Sequence, residues 1–333
     1  MNKVAVMGAG SWGTAFSIVL ADAGNDVTLW ARREDLCSTI NDKRENTDYL
    51  PGIELPDALS ATHDPAEALD GAAGVFFVTP SQTFRQNLGD WVDLIPSDAL
   101  MVSLMKGVEL GTLKRMSEVI VEETGCDPGR IGVVSGPNLA KEIARREPAA
   151  SVVACTDEAN VTRLRAMCHS ATFRPYSSVD VIGCELGGAY KNVIGLAVGM
   201  AVGLGFGDNT TASVITRGLA ETARLSAKFG ADPMTLMGLA GLGDLVATCS
   251  SPLSRNRSFG EKLGQGMTAD EITASTRQVA EGVKSCSSLR DLAHSVEVYA
   301  PIVEAVHSVV EGEMTAADML TALISKQAKH ERD

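Results

Sequence analysis

The sequence predicts an α/β fold in which an N-terminal Rossmann-like doubly wound, mostly parallel sheet is followed by an all-α C-terminal domain. Three observations carry this expectation. An apolar strand, a glycine turn, a helix and a second strand follow one another within the first thirty residues. Strand-like and helix-like segments then alternate to about residue 178. Beyond that point the apolar spacing is helical and no convincing strand pattern returns. Alternation of this kind builds a parallel sheet covered by helices. The expected division is 1–178 for a dinucleotide-binding domain and 179–333 for a helical substrate domain.

Residues 3–7 (KVAVM) form the first strand, and GAGSWG follows it. Thr14 to Ala23 has helical apolar spacing, and Gly24-Asn25 ends it. Residues 26–30 (DVTLW) give a second strand, completing a unit of about 30 residues, the size of one βαβ crossover. A short helix is expected at 64–70, and a strand at 74–78 (GVFFV). Gln82 to Leu94 reads as a helix, 99–104 (ALMVSL) as a strand, and Leu113 to Glu123 as a helix. Strands follow at 131–134 (IGVV), at 150–155 (ASVVAC) and, as the last, at 171–176 (ATFRPY). Val179 to Phe206 is one long helical stretch. Helices over Thr210–Phe229 and Pro233–Leu242, a loop over Ser250–Arg257 and four or so shorter helices complete the chain.

Composition narrows the function. The 333 residues are 45% hydrophobic and 21% charged, a globular balance with a large core. The net charge of -13 repels nucleic acid and anionic lipid, so neither is an expected partner. An anionic small molecule would need a basic pocket working against that field. Seven scattered cysteines with no CxxC pair point to a reduced, cytoplasmic protein. Histidines at 63, 169, 294, 307 and 330 lack ligand spacing, so no metal site is expected. No signal peptide pattern is visible. The apolar stretch Val193–Phe206 falls short of the roughly 18 residues of a spanning helix, so no integral membrane segment is expected.

Gly8-Ala9-Gly10-Ser11-Trp12-Gly13 matches the GxGxxG fingerprint between strand and helix. Gly8 permits the tight turn, Gly10 lets a pyrophosphate approach the backbone, and Gly13 lets the helix lie close on the sheet. Free N–H groups and the helix dipole then hold the phosphates. At the end of the second strand, where an acidic residue serves NAD, the chain has Arg32 and Arg33 followed by Glu34. Arginine there accommodates a 2′-phosphate, which favours NADPH, with NADH possible through Glu34. A solvated basic corner is the plainer alternative.

A substrate should sit at the carboxyl ends of the strands. Two loops lie there, Ser103–Glu109 and Ser135–Glu142. Lys106 directly follows an apolar strand and suits an anion or a carbonyl. Gly136-Pro137 sets a sharp turn into a helix. In the helical half, glycines at 183, 187, 188, 195, 199 and 203 each cost about 1 kcal/mol relative to alanine. Such a run needs backbone or ligand packed very close. Lys191 is the one cation between Arg174 and Arg217. It either snorkels or works as a proton donor and acceptor. Asp244 reads as a helix cap or a site residue. Ser254, Arg255 and Asn256 on one loop make a compact phosphate or diol site, and Arg257 reads as a surface charge.

GAGSWG, SLMKGVE, SGPNLAKE, ELGGAYKNVIGLAVG, GLGDLVATC, SRNR and QVAEGV occur in the order seen in the bacterial-type NAD(P)-dependent glycerol-3-phosphate dehydrogenases. The chain resembles that family over nearly its whole length. The resemblance implies that Lys191 is the proton donor and acceptor at the substrate C2 oxygen, and that Lys106 touches both nicotinamide and substrate. It implies a glycerol-phosphate site at Asp244, Ser254, Arg255 and Asn256, with Gly136 and Asn138 contributing. Cofactor contacts are implied at Ser11, Trp12, Arg32, Arg33, Ala140, Arg255, Val279 and Glu281. Met105 departs from the usual threonine, and Asn138-Leu139 from Thr-Phe.

The implied reaction is reversible reduction of dihydroxyacetone phosphate to sn-glycerol 3-phosphate, supplying the phospholipid backbone. Hydride passes to the ketone carbon, Lys191 protonates the alkoxide, and Lys106 adds positive field. Lys106, Lys191 and Arg255 are expected to depress the lysine pKa values. A homodimer is expected. Two rivals stand beside this reading. A hydroxyacid or 6-phosphogluconate-type dehydrogenase of the same architecture is disfavoured by SRNR and GLGDL. A nucleotide-sensing protein without turnover need not keep Lys106, Lys191 and Asp244 together.

Overall fold

The structure is a computed structural model and describes residues 2–275 and 280–325. Its first part runs β1 (Lys3–Met7), α1 (Ser11–Asp22), β2 (Asp26–Trp30), α2 (Glu34–Lys43), β3 (Leu59–Thr62), α3 (Pro65–Leu69), β4 (Gly74–Phe77), α4 (Phe84–Trp91), β5 (Leu100–Ser103), α5 (Met116–Thr124), β6 (Ile131–Ser135), α6 (Ala140–Ala144), β7 (Ala149–Cys155), α7 (Glu158–Cys168) and β8 (Phe173–Ser178). The eight strands form one sheet in the order β3-β2-β1-β4-β5-β6-β7-β8. Every pair is parallel except β6 with β7. The order reverses direction at β1, which lies between β2 and β4. That switch point opens a crevice at the carboxyl ends of the strands. The strands read as apolar runs because helices cover both faces. Phe16, Phe76 and Phe173 pack on one side, and Phe77, Phe84 and Trp91 on the other.

The rest is helical: α8 (Val181–Gly203), α9 (Asp208–Lys228), α10 (Pro233–Met237), α11 (Asp244–Ser250), α12 (Arg255–Gly264), α13 (Ala269–Ala274), α14 (Glu281–Ser295), α15 (Pro301–Val310) and α16 (Ala316–Ile324). Most of α8 is buried at the centre of this layer. Its glycines explain themselves here. A Cβ on Gly199 would lie 2.1 Å from the Arg257 carbonyl oxygen, and one on Gly203 would lie 2.1 Å from that of Glu261. Reciprocally, a Cβ on Gly260 would lie 2.1 Å from the Leu196 carbonyl oxygen. Helices α8 and α12 therefore touch backbone to backbone, and only glycine fits the seam.

Four expectations need correction. The helix expected from Leu113 begins at Met116. Residues 104–115 instead form an arm, with Val108 bridging Arg115 antiparallel and Leu113 at φ 59°. Gln82–Leu94 is α4 flanked by 3₁₀ turns. The helix over Pro233–Leu242 stops at Met237 and a π-helical turn, Leu239–Gly243, follows. The loop expected over Ser250–Arg257 is shorter, because the Ser254 hydroxyl accepts from the Arg257 N–H at 3.3 Å and starts α12. Among the described residues five helices, in line with the four or so expected, then run to residue 324. β3, α2 and α7 were not anticipated, whereas the helix expected after Gly136-Pro137 is α6. Among the described residues no helix is long and apolar enough to cross a membrane. All seven cysteines are free.

Candidate active site

The glycine turn is built as a cradle. Gly8 adopts φ +135°, and a Cβ there would lie 2.6 Å from the Val78 carbonyl oxygen. A Cβ on Gly13 would lie 1.8 Å from the Gly8 carbonyl oxygen, so α1 rests directly on the turn. Around Gly10 there is open space. Gly10 caps α1 without a side-chain bond, and the first turn carries no acidic residue. The leading N–H groups and the dipole are left facing that space, which suits a pyrophosphate. The Trp12 indole N–H beside it is buried without a partner.

Asn46, absent from the sequence reading, anchors the cradle. It is fully buried and donates to the Ala9 carbonyl at 3.0 Å and to the Thr14 hydroxyl at 2.8 Å. The Ser11 hydroxyl donates to the Tyr49 carbonyl at 2.7 Å. Arg32 is exposed at the end of β2, and Arg33 caps α2 in an ion pair with Asp48.

Opposite the cradle, the arm after β5 delivers Lys106. The Gln82 side chain donates to the Val108 carbonyl and accepts from the Leu110 N–H, both at 2.9 Å. Arg85 pairs with Glu109 at 2.8 Å, pinning the arm to α4. The Lys106 ammonium donates to Asp244 at 2.5 Å and to the Gly136 carbonyl at 3.0 Å. The Lys191 ammonium donates to the Thr248 hydroxyl at 2.9 Å and lies 3.3 Å from the other Asp244 oxygen. The two lysine side chains are 11% and 14% exposed, and Asp244 is 2% exposed. Asp244 is thus a carboxylate shared by two ammonium groups, not a helix cap. Asp244 and Thr248 share one face of α11, as residues four apart do.

Electrostatics follow from this packing. Burial pushes the Lys106 ammonium down to about 8. Asp244 opposes the fall and Lys191 adds to it. Burial is thus the larger cause at Lys106, ahead of the neighbouring-cation effect expected from sequence. Burial also raises the Glu281 carboxyl, against the attraction of Arg255, Lys191 and Lys106.

A line of amides ties the pieces together. The Asn192 amide donates to the Lys106 carbonyl at 3.1 Å, and the Asn256 amide donates to the Asn192 oxygen at 2.8 Å. The Gly282 N–H donates to the Asn256 oxygen at 3.0 Å. Asn192 and Thr248 were not singled out from sequence, although each stands within a quoted motif. Ser254, Arg255 and Asn256 lie at the start of α12, not on one loop. Arg257 reaches Glu261 at 3.8 Å and is only 19% exposed. Gly136 takes φ +150° against Ser151, and the Asn138 amide donates to the Ser151 hydroxyl at 3.1 Å. The Asn138 side-chain oxygen and the Ser135 hydroxyl are buried without partners. Ala140 opens α6, a helix of only five residues. Val279 lies outside the described residues.

A dinucleotide cradle at the switch point, facing charged groups from a helical second layer, defines the class: a nicotinamide-dinucleotide-dependent oxidoreductase. Family models agree. The NAD-dependent glycerol-3-phosphate dehydrogenase N-terminus matches residues 3–161, and the C-terminus of the same family matches 180–321. The chain belongs to the NAD-dependent glycerol-3-phosphate dehydrogenase family. It is 60% identical to the glycerol-3-phosphate dehydrogenase [NAD(P)+] of Streptomyces griseus subsp. griseus, over 99% of this chain and 98% of that one. The Thermobifida fusca protein of the same name is 58% identical, over 100% and 99%. The crystal structure of glycerol-3-phosphate dehydrogenase from Coxiella burnetii superposes with a TM-score of 0.93 at 35% identity, covering 98% and 99%.

Proposed function

We propose that the chain catalyses the reversible reduction of dihydroxyacetone phosphate to sn-glycerol 3-phosphate with NADPH or NADH. The observation that carries this reading is the convergence of Lys106 and Lys191 on Asp244 at the strand ends. The proposed domains are 1–178 and 179–333, with the reacting groups between them.

The cradle fits a dinucleotide, given the open space at Gly10 and the uncapped N–H groups of α1. Gly8, Gly10, Ser11, Trp12 and Gly13 would hold its pyrophosphate, and Arg32 and Arg33 its adenosine side. Ala140, Arg255 and Glu281 would complete the pocket, and the family resemblance implies Val279 as a further cofactor contact. A bound dihydronicotinamide supplies hydride to the ketone carbon. Lys191 donates its proton to the C2 oxygen as negative charge develops there. Lys106 adds positive field at the same oxygen, and Asp244 with Thr248 keeps Lys191 aimed. Ser254, Arg255 and Asn256 at the start of α12 would hold the phosphate, with Gly136 and Asn138 nearby. A helix N-terminus with an adjacent arginine suits an anion. Binding the phosphate positions C2 for transfer.

We extend the reading to a cytoplasmic homodimer that supplies the glycerol phosphate of phospholipids. Seven free cysteines fit a reducing compartment, and sedimentation would test the dimer. The decisive assay follows NADPH and NADH oxidation with dihydroxyacetone phosphate and with 2-oxo acids. Turnover with a 2-oxo acid but not with dihydroxyacetone phosphate would overturn the assignment.

A further inference from the structure

Residues 46–50 form a strap over the glycine turn. Asn46 fastens it to Ala9, Tyr49 takes the Ser11 hydroxyl, and Leu50 is buried. The Tyr49 N–H donates to the Asn46 side-chain oxygen at 3.3 Å, and the Leu50 N–H to the Asn46 carbonyl at 2.9 Å. Asp48 therefore has a fixed place on the strap. Its carboxylate meets the Arg33 guanidinium in a hydrogen-bonded ion pair. A second carboxylate, Asp35, lies 3.5 Å from the same guanidinium. The pair is about half exposed, Arg33 at 44% and Asp48 at 48%. It remains open to a ligand, although buried bonds in the strap set its position.

A dinucleotide lying on Gly10–Gly13 brings its ribose to the end of β2, where an arginine takes a 2′-phosphate and a carboxylate takes a 2′-hydroxyl. Here the two chemistries stand in contact. We propose that Asp48 sets the cofactor preference. By occupying Arg33 it weakens the grip on a 2′-phosphate, and it offers an acceptor to a 2′-hydroxyl, so that neither dinucleotide is excluded. This rests on the reading of Arg32 and Arg33 as the adenosine corner. Asp48 lies in no motif that marks the cofactor site in the sequence, and it reaches the corner only through the strap.

The test compares adenosine 2′,5′-bisphosphate with adenosine 5′-monophosphate by calorimetry, alongside kcat/KM for NADPH and NADH. Removing one unit charge about 4 Å away at a water-exposed site is worth roughly fivefold. Asp48→Asn should raise the preference for the 2′-phosphate by about that factor, and the gain should shrink with added salt. Arg33→Gln should lower the preference, and adding Asp48→Asn to Arg33→Gln should then give a smaller gain than in the parent. An Asp48→Asn preference equal to the parent's, with Arg33→Gln still lowering it, overturns the proposal and leaves the arginine corner standing. A gain as large without Arg33 as with it also overturns it. If replacing Arg32 and Arg33 together leaves the preference untouched, the corner itself is misplaced, and the proposal falls with it.

Discussion

Lys106, Lys191 and Asp244 were each visible in the sequence because a charge in an apolar context is conspicuous. Their relation was not visible, since 138 residues separate Lys106 from the carboxylate it touches. Asn192, Thr248 and Asn46 escaped for a related reason. Neutral amides and hydroxyls are common in loops and helices, and only their buried partners mark them. Two predictions belong at this scale. Lys191→Ala should lower kcat by about 10²- to 10⁴-fold, the usual worth of a positioned proton donor. Steady-state turnover within twofold of the parent would remove Lys191 from the mechanism. The second concerns pH. Lys106 carries charge below about 8 and loses it above. In the proposed mechanism its field at the developing oxyanion is present at low pH, so kcat/KM for ketone reduction should fall as pH rises through about 8. Lys106→Arg keeps the charge at all working pH values and should remove that limb. A parent profile flat to high pH would show that the Lys106 charge plays no part.

At the scale of elements, the strands and the long helix were legible, because apolar runs and glycine turns bound them. The arm over 104–115 and the start of α12 were not. Leu113 fits a helical apolar pattern, yet it sits at positive φ because Glu109, Val108 and Arg115 close the arm on itself. Ser254-Arg255-Asn256-Arg257 looks polar and loop-like, but Ser254 is a helix cap and its neighbours form the first turn. The glycine run in α8 was recognised as a demand for close approach, and the backbone of α12 meets that demand. Gly199→Ala should force the two helices apart and lower stability by about 1–3 kcal/mol. Because α12 begins with Arg255 and Asn256, KM for the phosphorylated substrate should rise as well. A melt and a KM both matching the parent would show that the seam tolerates a methyl group.

Over the whole molecule, the two layers are joined by a buried contact whose partner, Arg115, stands in no quoted motif. Glu185 on α8 is buried, and burial raises its carboxyl. It pairs with Arg115 at 2.7 Å and accepts from the Ser117 N–H at 2.8 Å and the Ser117 hydroxyl at 2.6 Å. Arg115 ends the arm that carries Lys106, so this pair and the Asn192 amide hold the arm to α8 at two points. Removing one partner of a buried pair costs about 3–5 kcal/mol. Glu185→Leu should lower the denaturation midpoint accordingly and uncouple unfolding of the sheet layer from that of the helical layer. A single transition at the parent midpoint would show that the pair contributes nothing. The alternation of elements foretold the layers. The antiparallel β7 did not show, since strand direction leaves no mark in a short apolar run.

The shared carboxylate has one more consequence. Two ammonium groups left alone in a cleft would repel each other. Asp244 balances both ammonium groups, so in the proposed mechanism the two lysines are already held in place. An incoming oxyanion would then meet lysines already positioned and need not recruit them. Under the proposed function, affinity gained at the substrate phosphate would then appear as rate and not as rearrangement.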